Sequence, residues 1–421
     1  MHISLVGINH QTAPVSIREK VAISADRLPD FLALLHAHVP QGVILSTCNR
    51  TEIYSVDGDE SHATRSNLDF LKALLDLPDI NWQRYVYTMT DESAVAHLFQ
   101  LTSGLDSMII GEYEILGQVG NALEAADKAK MVGFPLRHIF QSAIRTGRRV
   151  REETGISKNA LSVSSVAVDL AGRIIGDLKD CRMLVIGVGE AGRLVAKAAK
   201  DRGVTQIAVA SRTLERASAL AQRLGGKSVS LSNVTEELGA CNILVTCASA
   251  PRRLLDFPRI ESVMKARAGL PMVIIDIAVP RNVEATVGQI ESVFLYNIDD
   301  LTQISELNRK QREREIEMAK VIIAGEMEKF TSWRKTFEVT PVVRSLMQKA
   351  EDIRRAQLSR TLKKLRPLSD EERDSLEAMT RSIVTKILKD PIEHIKTNGN
   401  GNQEYAEILS ELFQLHHEKK E

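Results

Sequence analysis

A glycine-rich turn between an apolar strand and a helix constrains the fold more than any other stretch of this sequence. A predicted strand at 182–186 leads directly into Gly187-Val188-Gly189-Glu190-Ala191-Gly192, and a helix is predicted from Arg193. In this pattern the first glycine permits a tight turn, the second lets a pyrophosphate approach the backbone, and the third lets helix and strand pack closely. Further strands are predicted at 206–210, 242–247, 272–277 and 292–296. The sequence therefore predicts an α/β Rossmann domain that binds a dinucleotide.

The residues after the second predicted strand indicate which dinucleotide binds. A site that prefers NAD places an Asp or Glu there for the ribose hydroxyls. This chain instead has Ser211-Arg212-Thr213, and a cation with two hydroxyls suits the 2′-phosphate of NADP. Ser211 and Arg212 are therefore candidate NADPH contacts. The alternative is that Arg212 merely begins the next helix.

A second stretch carries the residues expected for covalent chemistry, and it reads Ser46-Thr47-Cys48-Asn49-Arg50-Thr51-Glu52. Strand-like segments at 43–45 and 53–56 flank it, so the Cys48 thiol is expected in a short polar loop that faces a substrate. We expect the nearby Arg50 to favour the thiolate, which is the nucleophilic form of cysteine. The alternative is that Cys48 is a small buried residue that only packs, as most free cysteines do.

Residues 1–156 mix short strands with helices and predict an α+β domain with antiparallel pairing, because the connections are short. Asp91 is the expected N-cap of one of the helices. The segment 104–118 combines three glycines with polar and apolar residues, which does not favour a plain helix. It is predicted to be either an irregular packed connection or one wall of a polar pocket.

A basic helix is predicted at 135–153, where no acidic residue occurs before Glu152. Much of its positive charge shares one face. One interpretation is an ordinary solvated helix, and the other is a surface that contacts phosphate groups. The arginines concerned are Arg137, Arg145, Arg148, Arg149 and Arg151.

Beyond residue 300 the pattern changes to long amphipathic helices, and apolar residues between 316 and 330 recur at the spacing of a coiled-coil seam. We expect a helix to begin at Thr340 as N-cap with Pro341 at its first position. A capping box at 369–372 should begin another helix, which Pro391 should end. Pro367 and the Asn/Gly linker at 398–402 are expected to break the helices. Three helices with one apolar stripe each predict a homodimer; the alternative is an intramolecular bundle on the Rossmann domain.

Composition limits the functional classes. The 421 residues allow two or three domains, and 43% hydrophobic with 26% charged residues is typical of a globular protein. Lys+Arg and Asp+Glu both number 55, so a nucleic acid must bind a local basic patch. The four cysteines form no metal-ligand or disulfide pattern, so no metal site is expected. The chain has no signal-like start and no long apolar run, which predicts a cytoplasmic protein without a membrane partner.

Several motifs together resemble the glutamyl-tRNA reductase family. They are Thr-Cys-Asn-Arg-Thr-Glu at 47–52, Gly-Glu-x-Glu-Ile-Leu-Gly-Gln at 111–118 and the glycine-rich turn, in this order, with further similarity at 7–15 and 276–281. The resemblance implies an α+β catalytic domain at 1–156, a Rossmann NADP-binding domain at 157–300, and an all-α dimerisation domain with a long spinal helix at 301–421. It also implies NADPH-dependent reduction of glutamyl-tRNA to glutamate-1-semialdehyde with release of tRNA, the first step towards 5-aminolevulinate and tetrapyrroles.

The same resemblance implies roles for individual residues. Cys48 corresponds to the nucleophile that forms a thioester, and His97 to a histidine important for activity, although a lone histidine is more often structural. Arg50 is expected to bind the substrate carboxylate, and Glu112 or Glu114 its ammonium group. The glycine-rich turn corresponds to the NADP site. Segments that recognise the glutamyl group correspond to Thr47, Asn49, Arg50, Ser107, Glu112, Tyr113, Glu114 and Gln118.

The implied partners are glutamyl-tRNA(Glu), a second copy of the chain bound through the C-terminal helices, and the next enzyme, glutamate-1-semialdehyde aminomutase. Two other functions stay open from the residues alone. A non-catalytic NADP-sensing or tRNA-binding regulator would not need the Cys48 thiol. A small-molecule NADP dehydrogenase would need neither tRNA nor a covalent intermediate. The thiol beside an arginine at a strand end argues against both.

Overall fold

The structure is a computed structural model that describes residues 1–75, 82–157, 163–250, 252–267, 270–301, 313–366, 368–397 and 402–415. These residues form two compact units, Met1–Ala324 and Gly325–Glu421. The first unit contains an antiparallel sheet and a parallel sheet, and the second consists of helices. No described helix combines the length and the apolar character needed to cross a membrane.

The chain begins with an antiparallel sheet of four strands in the spatial order β2-β3-β1-β4. The strands are β1 (His2–Asn9), β2 (Gly42–Ser46), β3 (Arg50–Asp57) and β4 (Tyr87–Thr90). The described helices that accompany the sheet are α1 (Val15–Val21), α2 (Leu28–His36), α3 (Glu60–Leu75), α4 (Asp91–Thr102), α5 (Glu114–Lys128) and α6 (Phe134–Glu153). The prediction of an α+β fold with antiparallel pairing is confirmed, because β1 pairs antiparallel with both β3 and β4.

Two local predictions for this part of the chain are wrong in detail. Thr90, not Asp91, is the N-cap of α4, and its N–H donates to the Ser93 hydroxyl at 3.1 Å. The Asp91 carboxylate instead accepts the Ile3 N–H at 3.1 Å and so connects α4 to the sheet. Segment 104–118 is irregular only up to Tyr113, since α5 begins at Glu114. The helix tolerates Gly117 because its other residues bury an apolar face.

The second sheet is parallel, with the spatial order β10-β9-β8-β5-β6-β7. Its strands are β5 (Arg182–Ile186), β6 (Gln206–Ser211), β7 (Lys227–Ser230), β8 (Ile243–Thr246), β9 (Met272–Asp276) and β10 (Val293–Asn297). The described helices around it are α7 (Val163–Ile175), α8 (Glu190–Asp201), α9 (Leu214–Leu224), α10 (Val234–Ala240) and α11 (Phe257–Ala266). The strand order reverses beside β5, as in a Rossmann fold, so that prediction is confirmed.

Alternation along the parallel strands divides the core of this domain between the two faces of the sheet. Met183 and Val185 pack on one face with the residues of α7 and α8, while Leu184 and Ile186 pack on the other face with those of α10 and α11. Strand β7 was not predicted, since its four residues are polar or half-buried. Helix α8 begins at Glu190, inside the glycine-rich turn, three residues before the predicted start.

The C-terminal helices are α12 (Glu313–Leu362), α13 (Asp370–Thr397) and α14 (Asn402–Leu412), and α12 is the expected long helix. The predicted helix start at Thr340 and Pro341 and the predicted end at Pro391 are wrong, because both helices continue through their prolines. Buried apolar residues on both sides of each proline offset its missing N–H. They are Val339 and Val342 around the first, and Leu388 and Ile395 around the second.

The capping box is confirmed at the start of α13. The Ser369 N–H donates to Glu372 Oε2 at 2.9 Å, and the Glu372 N–H donates to the Ser369 hydroxyl at 3.2 Å. The predicted breaks at Pro367 and at 398–401 lie outside the described residues. Residues from all three helices form a shared apolar cluster, which leaves a stripe of α13 exposed at Met379, Ile383 and Ile387.

Candidate active site

Cys48 lies in the short connection between the antiparallel neighbours β2 and β3, here called the thiol loop (47–49). The loop is closed by its own hydrogen bonds. The Thr47 N–H donates to the Arg50 carbonyl at 2.8 Å. The Thr47 hydroxyl accepts the N–H groups of Asn49 at 3.1 Å and Arg50 at 3.2 Å. The thiol is therefore presented by a fixed hairpin turn, as the strand pattern predicted.

A pocket at the thiol loop is lined by residues from both the antiparallel-sheet part and the parallel-sheet part of the first unit. It collects seven of the eight predicted substrate-binding residues together with Ala191, so the pocket around the Cys48 thiol extends to one residue of the glycine-rich turn. Tyr113 is the exception, since its side chain is 64% exposed and does not line the cavity. The lining residues are Thr47, Cys48, Asn49, Arg50, Ser107, Glu112, Glu114, Ile115, Gln118, Val163, Ser164, Ala191, Ile277 and Ile298.

The Arg50 guanidinium is held in a buried network of charges. Its Nη1 donates to Glu52 at 2.7 Å and to the Asp106 carboxylate at 2.8 Å, and its Nη2 donates to the Asp106 carbonyl. Glu52 in turn accepts the hydroxyls of Tyr54 at 2.6 Å and Tyr87 at 2.5 Å. Burial opposes ionisation of Glu52, but the charges of His97 and Arg50 outweigh it and lower the pKa of its carboxyl.

His97 lies behind this network rather than in the pocket. Its Nε2 lies 3.0 Å from Glu52 Oε1, and its Nδ1 lies 3.8 Å from Asp106 Oδ2. Burial lowers the pKa of His97, but the Glu52 carboxylate outweighs burial and the net pKa is raised. The geometry makes His97 a residue that positions Glu52, and through Glu52 the Arg50 guanidinium that lines the pocket.

The expectation that Arg50 favours the Cys48 thiolate is wrong. Burial, followed by the Glu112 and Glu114 carboxylates, raises the pKa of the Cys48 thiol to about 12, and the cation that acts in the opposite direction is Arg18. The positive charge of Arg50 is already balanced by Glu52 and Asp106 at hydrogen-bond distance. Arg50 is closer to Cys48 in sequence, but Arg18 is the cation that lowers the pKa of the Cys48 thiol.

Arg18 is a charged residue beside the thiol loop that sequence reasoning missed. Its side chain is 2% exposed, and its Nη1 donates to the Cys48 carbonyl oxygen at 2.5 Å. A signal was present in α1, because Arg18 lies three residues after Val15 and three before Val21, both of which are buried. That spacing places a charged residue on the apolar face of a helix, where it needs a partner.

Glu112 and Glu114 are the carboxyl groups that line the pocket. Burial is the main reason that the pKa of both carboxyls is raised, and for Glu114, with Glu112 nearby, the pKa reaches about 7. The Arg151 side chain supports this segment by donating to the Glu112 carbonyl at 2.8 Å and to the Gly147 carbonyl at 2.8 Å. Carboxylates in this setting suit a substrate ammonium group.

The basic face predicted on α6 is smaller than the sequence indicated. Arg151 faces inwards to carbonyl groups, Arg137 pairs with Asp127, and Arg149 pairs with Glu153. Arg145 and Arg148 are exposed. The phosphate-contacting interpretation therefore applies first to these two arginines, whose side chains are not held in these ion pairs.

The glycine-rich turn fits a dinucleotide pyrophosphate. Gly187 has a φ of +125°, and a Cβ atom on Gly192 would lie 2.1 Å from the Gly187 carbonyl oxygen, so neither position accepts another residue without strain. Gly189 is the N-cap of α8 without a side-chain cap, and nothing lies within 4 Å of a Cβ built on it. Its backbone and the positive end of the helix dipole are open to an anion.

Ser211 and Arg212, the predicted NADPH contacts, lie at the end of β6. Ser211 ends β6, which pairs with β5, and the glycine-rich turn follows β5. Arg212 is exposed and precedes α9, whose N-cap is Thr213, so it does not begin the helix. Both residues therefore lie at the carboxyl edge of the parallel sheet, beside the turn.

Three family models match the chain. They are the glutamyl-tRNAGlu reductase N-terminal domain over residues 6–154, shikimate / quinate 5-dehydrogenase over 169–304, and the glutamyl-tRNAGlu reductase dimerisation domain over 318–415. The middle match implies a nicotinamide cofactor for the Rossmann domain. The order of the three matches follows the order of the two sheets and the helical unit.

Relatives and a solved structure align with nearly the whole chain. Glutamyl-tRNA reductase of Natranaerobius thermophilus is 39% identical over 99% of this chain and 93% of that protein. The enzyme of the same name from Rubrobacter xylanophilus is 39% identical over 99% of this chain and 97% of that protein. The structure of glutamyl-tRNA reductase from Methanopyrus kandleri is 32% identical, covers 98% of this chain and 99% of that chain, and superposes with a TM-score of 0.52.

Proposed function

This chain belongs to the glutamyl-tRNA reductase family, and from that premise we propose how its own residues reduce glutamyl-tRNA to glutamate-1-semialdehyde. The reaction is the first step of the five-carbon route to tetrapyrroles. One observation carries the proposal: Cys48, the residues predicted to bind the glutamyl group, and Ala191 of the glycine-rich turn line one pocket.

In the first step the Cys48 sulfur attacks the carbonyl carbon of the aminoacyl ester. A carbon–sulfur bond forms, the bond to the ribose oxygen breaks, and the proton lost by the thiol ends on the ribose hydroxyl of the free tRNA. A thioester keeps the acyl group on the protein while tRNA leaves. Arg50 lies at the pocket wall with its Nη1 and Nη2 groups held by Glu52 and Asp106, and we assign its remaining N–H donors to the substrate carboxylate.

The substrate itself assists activation of the thiol. Without substrate, burial first and then Glu112 and Glu114 hold the pKa of Cys48 at about 12, so little thiolate is present at neutral pH. The α-ammonium group of the glutamyl moiety would balance these two carboxylates when it binds between them. The pKa of the thiol would then fall only when the correct ester is in place.

In the second step the thioester is reduced to the aldehyde. A bound nicotinamide cofactor supplies the hydride. The carbon–sulfur bond breaks as the aldehyde forms, and the Cys48 thiolate takes up a proton. The pocket walls from 114–118 and from Ile277 restrict access of water to the thioester, which otherwise competes by hydrolysis.

We assign NADPH as the cofactor because of Arg212 and Ser211. The 2′-phosphate would accept charge-assisted hydrogen bonds from an exposed guanidinium at the end of β6, where the chain has Ser211-Arg212-Thr213 in place of the Asp or Glu that binds the ribose hydroxyls of NAD. The exposed Arg145 and Arg148 of α6 are our candidate contacts for tRNA phosphates.

The match to a dimerisation domain implies a homodimer, and we place the contact on the exposed stripe of α13. Cytoplasmic localisation remains a prediction; the four unpaired cysteines suit a reducing compartment. Delivery of the aldehyde to glutamate-1-semialdehyde aminomutase is also a prediction.

The proposal is tested by incubating the protein with radiolabelled glutamyl-tRNA in the absence of NADPH. We expect acid-stable label that a small thiol removes, both on the unmodified chain and on Cys247→Ser, which changes the other half-buried cysteine. Cys48→Ala should take no label. Cys48→Ser should lose at least about 100-fold in turnover, with binding of NADPH and tRNA nearly unchanged.

Two results would contradict the proposal. Label that persists on Cys48→Ala would place the nucleophile elsewhere. No label on any variant, in a protein that still binds NADPH in a separate assay, would favour the regulator or the small-molecule dehydrogenase, and the thiol loop would then be structural.

A further inference from the structure

The first observation is that one buried arginine connects the thiol loop to the Rossmann domain. Arg18 Nη1 donates to the Cys48 carbonyl at 2.5 Å, and its Nε donates to the Ala13 carbonyl at 3.2 Å. Its Nη2 pairs with the carboxylate of Asp299, which lies just after β10. Asp299 also accepts the N–H of Val15 at 2.9 Å, at the start of α1. The guanidinium therefore bridges the backbone of the nucleophile and a carboxylate of the neighbouring domain.

The second observation is that Asp299 is less buried than its partner. The Arg18 side chain is 2% exposed, whereas that of Asp299 is 33% exposed. A carboxylate in contact with water offsets a buried cation only in part. How much of the Arg18 charge reaches Cys48 then depends on whether Asp299 stays in contact.

We propose, building on the role of Cys48 as nucleophile, that Arg18 is a positioning residue that orients the thiol loop and stabilises the Cys48 thiolate, and that Asp299 moderates this effect. Through this contact Asp299, a residue of the Rossmann domain, affects the thiolate fraction of Cys48. Neither residue is a catalytic residue, because neither lines the pocket with the thiol.

The charged groups around Cys48 set the direction of each effect. Glu112 and Glu114 raise the pKa of the thiol, and Arg18 lowers it. Arg18 itself faces Asp299 and, at longer range, Arg50. Removal of the Arg18 charge should therefore reduce the thiolate fraction, and removal of the Asp299 charge should increase it.

A neighbouring ion pair provides a matched control. Glu19, the next residue of α1, accepts two hydrogen bonds from the Arg281 side chain at 2.9 and 2.8 Å. This pair joins the same helix to the same domain, and its carboxylate is not among the main groups that shift the pKa of Cys48. Glu19→Gln therefore changes the contact between α1 and the Rossmann domain without changing the charge that acts on the thiol.

The experiment measures the rate of Cys48 alkylation by iodoacetamide in the full chain, with the modified peptide identified by mass spectrometry. Far below the pKa of the thiol, this rate is proportional to the thiolate fraction, so a shift of one pKa unit changes it tenfold. At about pH 8 we expect Arg18→Gln to react roughly tenfold more slowly and Asp299→Asn at least about threefold faster. Arg18→Lys, which keeps the charge, should restore most of the rate, and Glu19→Gln should react within about twofold of the unmodified chain.

Opposite shifts separate this role from a structural one. If Arg18 only held the loop in place, Arg18→Gln and Asp299→Asn would both loosen the loop and both speed alkylation. That result, or an unchanged rate in Asp299→Asn, would overturn the inference. The alkylation rate is measured without tRNA or NADPH, so the two experiments can fail separately. If acyl labelling fails but the alkylation rates shift in opposite directions, the proposed function alone is rejected. If acyl labelling succeeds but the alkylation rates do not shift in opposite directions, this inference alone is rejected.

Discussion

Arg18 and Arg50 are both buried beside the thiol loop, but they differ in how their charge is balanced. Arg50 lies between two carboxylates, Glu52 and Asp106, at 2.7 and 2.8 Å. Arg18 shares its charge with the partly exposed Asp299. Because a cation that is already balanced has little effect on a thiol, the more distant residue in sequence is the one that acts on Cys48.

The specificity for NADPH is tested at Arg212. In Arg212→Ala the ratio of kcat/KM for NADPH over NADH should fall by roughly tenfold or more, because a charge-assisted hydrogen bond to the 2′-phosphate is lost. Arg216→Ala is the control, since Arg216 is an exposed arginine one turn later, in α9, and should leave the ratio unchanged. An unchanged ratio in Arg212→Ala would show that the 2′-phosphate is bound by other residues.

Helices α4 and α6 support the pocket from behind, and their close approach depends on Gly147. A Cβ atom at this position would lie 2.4 Å from the Thr102 carbonyl oxygen. That carbonyl also accepts a hydrogen bond from Arg151 at 2.5 Å, and Arg151 supports the Glu112 segment. Because Arg151 binds the Thr102 carbonyl as well as the Glu112 carbonyl, the spacing of α4 and α6 affects the position of the pocket wall at Glu112.

We expect Gly147→Ala to destabilise the first unit by about 1–3 kcal/mol, because α4 and α6 must separate. Gly120→Ala in α5 is the matched control, since nothing lies within 4 Å of a Cβ atom there. It should stabilise the chain by about 0.5–1 kcal/mol through helix propensity. Thermal unfolding monitored by circular dichroism shows whether each variant is less or more stable than the unmodified chain. Equal stability of both variants would contradict the predicted close contact.

For the C-terminal helices, a predicted boundary was confirmed where the residues that mark it make their own hydrogen bonds, and it was wrong where they do not. The capping box at Ser369 and Glu372 is satisfied within four residues, and the helix begins there. Pro341 and Pro391 each remove a donor and crowd the carbonyl one turn earlier, and the buried residues beside them keep both helices continuous. A missing hydrogen bond costs less than the apolar burial that a break would expose.

Assembly of the whole molecule is tested on the exposed stripe of α13. Ile383 is 49% exposed, and Met379 and Ile387 lie one turn away on either side. We expect Ile383→Glu to weaken the homodimer by at least about tenfold in Kd, measured by sedimentation velocity, because a buried glutamate would lack a partner. Ala378→Glu is the control, since it lies roughly 140° around the helix and is also exposed. A dimer that is unchanged in Ile383→Glu would place the interface on another surface.

The sequence by itself determined the features that depend on short-range order. The glycine-rich turn identified the Rossmann domain, because only glycine fits at Gly187 and Gly192. The alternation around Cys48 placed the thiol between two strands. Seven of the eight residues predicted to bind the substrate lie in the pocket, because their motifs are contiguous segments that one hairpin and one loop can bring together.

Only the tertiary structure decided which groups act on one another. Tyr113 belongs to a predicted motif but faces outwards, and His97 acts behind Arg50. Arg18 reaches Cys48 across 30 residues and Asp299 across 281. Charges interact through space with a strength that depends on distance and burial. Neither quantity is encoded in local spacing, so the cation that serves the nucleophile could not be chosen until α1, the thiol loop and the end of β10 were packed together.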